Sequence, residues 1–254
     1  MIKSSVKKDI IYSLLGVILV FLLWFLLYFI VANNYLIPSP LLVIKESFLN
    51  LLSGEFYSHF LSTILRVLLA ILISFIIGVF LAIISSLYNN VEKILLPILS
   101  IIRSIPVFAI LLIILVAISR VVAPVVVCVL TTLPIVYSNC LNYLNSINKK
   151  QKQMLKVYNV PLKNQIFSVY LKGYLPLLIK ELSALFSFSL KLIVSAEILA
   201  NVYLSIGGDI YNASIYSNIT LMFSLTLIIC LIGIIVEIIG NFICYKMEKN
   251  FKWR

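Results

Sequence analysis

Acidic residues are scarce in this sequence: nine stand among 254, against 20 lysines and arginines, and there is a single histidine, His59. A metal-dependent hydrolase needs a cluster of imidazoles, carboxylates or thiolates. No H-E-x-x-H occurs, and a lone histidine is a poor ligand set. There is no G-x-S-x-G nucleophile turn and no Gly-rich phosphate loop; "SIGGDI" has two glycines but no Lys-Ser/Thr after them. The chain has no P-loop means of holding ATP by itself. The four cysteines, Cys128, Cys140, Cys230 and Cys244, lack C-x-x-C spacing and fall in or at the ends of apolar stretches, where a free thiol packs as a small hydrophobe. No catalytic residue, no metal site and no cofactor bound by this chain is expected.

What the sequence has in abundance is apolar surface. Hydrophobic residues make up 63% and charged residues 11%, and the mean hydropathy is +1.15, outside the range of soluble globular domains. A helix needs about 20 apolar residues to cross a bilayer core of about 30 Å. Six runs qualify, at roughly 10–32, 60–88, 96–119, 121–144, 175–204 and 219–245. They are continuously apolar rather than alternating, which predicts helices and not barrel strands. The first run follows Lys3, Lys7 and Lys8 as a signal peptide would. Its apolar core is longer than such a segment carries and no small-x-small site follows, so it is read as a retained helix. The expectation is an all-α integral membrane protein with six transmembrane helices in one domain spanning residues 1–254.

Basic residues set the orientation, because short loops rich in lysine and arginine stay on the cytoplasmic side. Lys3, Lys7 and Lys8, then Lys93, then six lysines between 149 and 172, then Lys246, Lys249, Lys252 and Arg254 alternate with connections holding only Lys45, Arg120 or no base. Both termini are predicted to be cytoplasmic. The net charge of +11 is accounted for by this topology, with no nucleic acid partner.

Ionisable groups inside the hydrocarbon are costly and normally face protein or water. The fifth run is the richest in them, with Lys180, Glu181, Lys191 and Glu197. At 1.5 Å per residue Lys191 lies about 24 Å along the axis from Leu175, and Glu197 about 9 Å further. Two roles are open for Lys191 and Glu197: a structural pair or seam between subunits, or the lining of a path. Arg66 and Arg103, a turn or two inside their helix ends, are expected to snorkel to headgroups, and Arg66 is also a candidate for the path or seam. Glu237 stands alone in the sixth run, and Pro106 should kink the third.

The stretch "QKQMLKVYNVPLKNQIFSVYLKGYLP", residues 151–176, is lysine-rich, free of acids and patterned. Met154, Leu155 and Tyr158 share a helical face, Asn159 and Pro161 make a turn, and Ile166, Val169 and Tyr170 repeat the apolar spacing. Either it lies on anionic headgroups or it forms a compact cytoplasmic knob that docks into a partner.

Here the sequence resembles the permease subunits of binding-protein-dependent ABC importers, in particular the aliphatic sulfonate, taurine and nitrate branch. That family carries, between its fourth and fifth helices, an acidic-Ala-Ala, three residues, Gly pattern followed by a Leu-Pro-type element. Gln153, Met154 and Leu155 match the first three positions, Asn159 the glycine, and Pro176 falls seventeen residues later with Leu171 and Leu175. The segment from "YLIPSPLLVIKESF" through the second run, "LLPILSIIRSIPVFAILLIIL" and "LKLIVSAEILA" followed by Gly207 and Gly208 also resemble that branch. The departures are Gln153 for the acid, Met154 and Leu155 for the alanines, Asn159 for the glycine, Lys172 for the first proline, and "AISRVV" for a Phe-Gly pair.

The resemblance implies a type I ABC importer permease bundle in the bacterial inner membrane, working as a homodimer with a cytoplasmic ABC ATPase dimer and an extracytoplasmic solute-binding protein. It makes the chain a transport subunit and not an enzyme, with ATP and Mg held by the partner ATPase. It also implies that residues 149–175 are the coupling segment, with Gln153, Met154, Leu155, Tyr158, Asn159, Val160 and Pro161 docking the ATPase, and Leu171, Leu175 and Pro176 linking to the fifth helix. A central lysine suits a small anionic solute; thiamine-precursor-like solutes stay open. The rival class is a stand-alone secondary transporter with Glu181, Glu197 or Glu237 carrying protons, a class that often shows two similar halves; no internal repeat is found here.

Overall fold

A computed structural model describes residues 2–146, 154, 157–158, 160–161 and 172–251. The described elements are all helical: α1 (Ile2–Val31), α2 (Pro40–Leu52), α3 (Gly54–Leu87), α4 (Asn89–Ser104), α5 (Val107–Ala117), α6 (Ala123–Ser146), α7 (Lys172–Ala200), α8 (Ile206–Ile215) and α9 (Ile219–Phe251).

Helix starts follow local chemistry. Ser39 caps α2 by accepting from the Leu42 amide, with Pro40 at the first helical position, where its missing N–H costs nothing. Ser53 caps α3 through the Phe56 amide, and Ser205 caps α8 through the Gly208 amide at 2.8 Å. The two short helices α2 and α8 lie in stretches that the sequence reading takes as connections between apolar runs.

Among the described residues four helices are long and apolar enough to cross a membrane, at Gly54–Leu87, Ala123–Ser146, Leu175–Ala200 and Ile219–Met247, and the bent pair α4 and α5 can supply a fifth. The expected first span lies within α1, Ile2–Val31, whose 30 residues rise about 45 Å; among the residues with described side chains its apolar part is Leu15–Val31. The third expected run is two helices meeting at 92°, a break rather than the kink expected at Pro106. Proline lacks the N–H for helix continuation and pushes Ile105 into extended backbone, φ −76° and ψ 129°.

Helices α3 and α6 pack along their length, as do α7 and α9, and the main core lies among α3, α6, α7, α8 and α9. In lipid no hydrophobic force separates helix from surroundings, so close packing of small residues and interhelical hydrogen bonds hold such a bundle. Gly78 lies against Val136 and Tyr137. Ser74 bonds Thr132 at 2.7 Å, and the Tyr137 hydroxyl donates to Ser85 at 3.0 Å. Between α7 and α9, Ser187 donates to the Gly233 carbonyl at 2.6 Å and Ser183 meets Gly240. A β-carbon on Gly240 would overlap both the Cβ and the Oγ of Ser183. Gly240→Ala is therefore expected to cost about 1–3 kcal/mol of stability in detergent, restored in part by Ser183→Gly. Large apolar side chains on the outside of α3 and α9, among them Leu69, Ile76, Phe80, Ile238 and Phe242, stay exposed as lipid-facing residues do.

Candidate functional site

The ionisable side chains of α3 and α7 do not act alike. Arg66, expected to snorkel, turns inward instead: its Nη1 lies 2.6 Å from Oε1 of Glu197, and both residues are buried inside one chain. Glu197 has no exposed surface, and its other oxygen accepts from the Thr63 hydroxyl at 3.0 Å and the Gly207 amide at 3.2 Å. Thr63 in turn accepts the Ile206 amide at 3.1 Å. A helix start leaves amides unpaired, and here the first amides of α8 are satisfied by α3 and α7 side chains. The cluster pins α8 against the end of α7 across a turn in which Asn201 and Leu204 take positive φ, 47° and 55°.

Lys191 is placed differently. Along α7, Lys180, Ala184, Phe188, Lys191, Ser195 and Leu199 recur at three- and four-residue spacing and are all exposed, while Leu190, Ile193 and Val194 between them are buried. Among the described residues these make one continuous exposed face on a central helix, with an ammonium near its middle. Beside this face, Phe75, Ile135, Asn139, Leu178, Glu181 and Phe188 help to line a cavity of about 250 Å³. Glu237 is exposed on α9.

At one end of the bundle a second cavity of about 260 Å³, among residues of α2, α3, α8 and α9, is lined by Asn50, Glu55, His59, Asp209, Asn212 and Asn218, among others. His59 Nδ1 lies 2.7 Å from Asp209 Oδ2 and 2.9 Å from Oδ1. Burial holds the Asp209 carboxyl above its ordinary range, the His59 bond and charge pull it down, and Glu55 adds to the rise. A carboxyl raised in the folded state contributes stability that is present below its unfolded pKa and lost as pH rises through its folded one. Removing it should therefore cost little at neutral pH. Asp209→Asn is expected to change stability there by less than about 1 kcal/mol, with the wild type gaining relative to the variant as pH falls towards about 4. Thermal unfolding of both proteins between those limits checks it.

Of the coupling segment, Gln153, Leu155, Asn159 and Leu171 lie outside the described residues. Met154 and Tyr158 sit on one helical turn, the Tyr158 amide bonding the Met154 carbonyl at 3.0 Å, and both side chains are exposed, as is Pro161. Val160 is half-buried; Leu175 is exposed and Pro176 buried in the first turns of α7. Among the described residues no group of three or more His, Cys, Asp or Glu is placed to hold a metal ion.

Residues 74–249 match the family described as the binding-protein-dependent transport system inner membrane component. No curated protein matches the sequence. Among solved structures, one titled as an amino acid ABC transporter with histidines superposes with a TM-score of 0.59 at 16% identity, over 77% of this chain and 94% of that one, a likeness of fold. The matched region takes in the end of α3 and all of α4 to α9 but for the last residues, so Lys191, Glu197 and Gly207 fall in the matched part, while Thr63 and Arg66 lie before it. The chain belongs to the binding-protein-dependent transport system inner membrane component family: it is a multi-pass inner-membrane permease component of an ABC importer.

Proposed function

We propose that this permease carries a small organic anion of the sulfonate, taurine or nitrate kind, or a thiamine-precursor-like solute, and that it works as a homodimer. The carrying observation is Lys191: an ammonium at mid-span on the exposed face of α7, a helix whose opposite side is buried among its neighbours. A charge there is tolerated facing protein or water and not lipid. The exposed face of α7 then lines the path or the seam to a second copy, and a cation on it favours anionic solutes.

Family membership implies an ATPase and a solute-binding protein as partners. In this reading residues 149–175 dock the ATPase dimer, with Gln153 to Pro161 as the knob and Leu171, Leu175 and Pro176 as the link to α7. Both termini and the knob are cytoplasmic. The partner holds ATP and Mg; this chain holds no cofactor. Closure of the ATPases draws the knobs together and the helices rock to open the path.

Uptake of radiolabelled taurine, nitrate and a thiamine-precursor pyrimidine by cells with and without the chain tests the solute class. One of them should depend on the chain, and Lys191→Glu should cut its uptake at least about tenfold, as expected from reversing a charge at a desolvated contact, while the protein still reaches the membrane. Unchanged uptake in that variant would remove Lys191 from the path.

A further inference from the structure

Helix α2 has a packed side and an open one. Pro40, Val43, Ser47 and Asn50 recur at three- and four-residue spacing and form the packed side. The Ser47 hydroxyl donates to the Ser224 carbonyl at 3.4 Å and the Asn50 amide to the Ser224 hydroxyl at 2.9 Å, which ties this side to α9. On the opposite side Leu41, Lys45, Phe48 and Leu52 recur at the same spacing and are all exposed, with Leu42 and Leu49 exposed beside them. A stripe of leucines and a phenylalanine of this kind marks a contact with protein or with membrane.

Three observations decide for the membrane. The first is level. Ser224 lies five residues (224 − 219), about 7.5 Å, inside the start of α9 at Ile219. Ser47 and Asn50 both reach it, so α2 meets α9 within the depth of about 5–10 Å to which interfacial helices bury their apolar faces. Its 13 residues are too few to cross a core of about 30 Å.

The second is the company α2 keeps. Tyr35 precedes it, Tyr57 follows it, and Tyr203 and Tyr216 flank α8 at the same end of the bundle; all four are exposed. Tyrosines gather at the boundary of membrane and water, where the ring sits among acyl chains and the hydroxyl finds a polar partner. Tyr57 does so here, its hydroxyl donating to the Leu51 carbonyl in the last turn of α2 at 2.8 Å. Leu61 and Leu65, further along α3, are exposed as well, so lipid-facing surface begins close to this level.

The third is charge. Lys45 is one of two bases in the connections at this end, the other being Arg120. Among the described residues it has no ion-pair partner. A lysine can lay its stem on apolar surface and raise its ammonium to a phosphate. A phospholipid thus matches both parts of the stripe.

We infer that α2 is a lipid anchor: it lies along the membrane surface in the leaflet opposite residues 149–175, with Leu41, Phe48 and Leu52 among acyl chains and the Lys45 ammonium on a lipid phosphate. Through Ser224 it holds the start of α9 at the boundary, whatever solute the permease carries.

Fluorescence quenching tests the placement. Leu41→Trp, Phe48→Trp and Leu52→Trp are made one at a time in a chain whose own Trp24 and Trp253 are changed to phenylalanine; should that chain fail to fold, each signal is read as the difference from the parent. The proteins are placed in vesicles of phosphatidylcholine and phosphatidylglycerol whose acyl chains carry bromine either near the headgroup or near the methyl end. Bromine near the headgroup should quench all three positions at least about twofold more than deep bromine does, and acrylamide in the water should quench them little. Strong acrylamide quenching without bromine quenching would overturn the anchor and give the stripe to a water-borne protein partner. Silence to both quenchers would overturn it in favour of cover by a second copy. Deep bromine acting at one end of the stripe alone would overturn the placement along the surface. Lys45→Glu should raise acrylamide quenching at Phe48→Trp at least about twofold, and Lys45→Arg should keep the wild-type value. An unchanged value in Lys45→Glu would overturn the phosphate contact.

Discussion

Replacing Glu197 with alanine should destabilise the protein by about 3–5 kcal/mol, the cost of leaving one member of a buried ion pair without its partner. Arg66 would keep its charge in a buried place, and the Thr63 hydroxyl and the Gly207 amide would lose an acceptor in the same step. Arg66→Ala should be comparably severe, because the Glu197 carboxylate would then be fully buried with two neutral donors only. The double variant Glu197→Gln with Arg66→Met removes both charges, and the glutamine oxygen can still accept from Thr63 and Gly207. It is expected to recover much of the loss, because a buried pair exchanged for apolar packing is often close to neutral. Unfolding midpoints of the four detergent-solubilised proteins compare the single losses with the double variant's. A single-variant loss below about 1 kcal/mol would mean that the pair is solvated, which its burial argues against.

The second large effect is expected at the start of α8. A β-carbon on Gly207 would overlap the Glu197 β-carbon and press on the Val194 carbonyl at 2.7 Å and the Ile198 amide at 2.9 Å. One on Gly208 would run into the Val202 carbonyl. These obstacles are mostly backbone, which cannot step aside as a flexible side-chain tip can. Gly207→Val is therefore expected to cost at least about 3 kcal/mol, at the upper end of overpacking penalties, or to push α8 away from α7. The second outcome would separate His59 from Asp209 and open the cavity between α2, α3, α8 and α9. Limited proteolysis within 201–218 distinguishes them: a destabilised but intact arrangement is cut in step with global unfolding, and a displaced α8 is cut while the rest stays folded.

The helical membrane class was legible because the runs are long, charge-poor and without alternation, a signal that depends on composition more than on detail. The proline at 106 correctly marked a disturbance. Its size was not legible, because whether a proline bends a helix or divides it depends on the packing around it, and here the Arg103 side chain just before the break is held by the Pro134 carbonyl on α6. Arg66 was expected to snorkel because its position in α3 allows it. Its pairing with Glu197, 131 residues away, is a tertiary fact. A signal was nevertheless present: both residues fall towards the same end of their spans, and opposite charges at matching depth are worth testing as a pair before either is assigned to headgroups. A signal for the start of α8 was present in "SIGGD", a serine cap with an acid in the first turn, but the stretch was read as a glycine-rich turn. Lys191 was legible as an outlier in charge, and its exposure on one continuous face of α7 needed the packing of α3, α6 and α9 to emerge.

The account stands or falls on the partner that drives transport. Affinity purification of the detergent-solubilised chain from its native membranes, followed by mass identification, should recover a P-loop ATPase in roughly equal amount, and Asn159→Pro, which breaks the turn of the docking knob, should lose it. Intact, folded chain recovered from the same membranes with no ATPase would contradict the account.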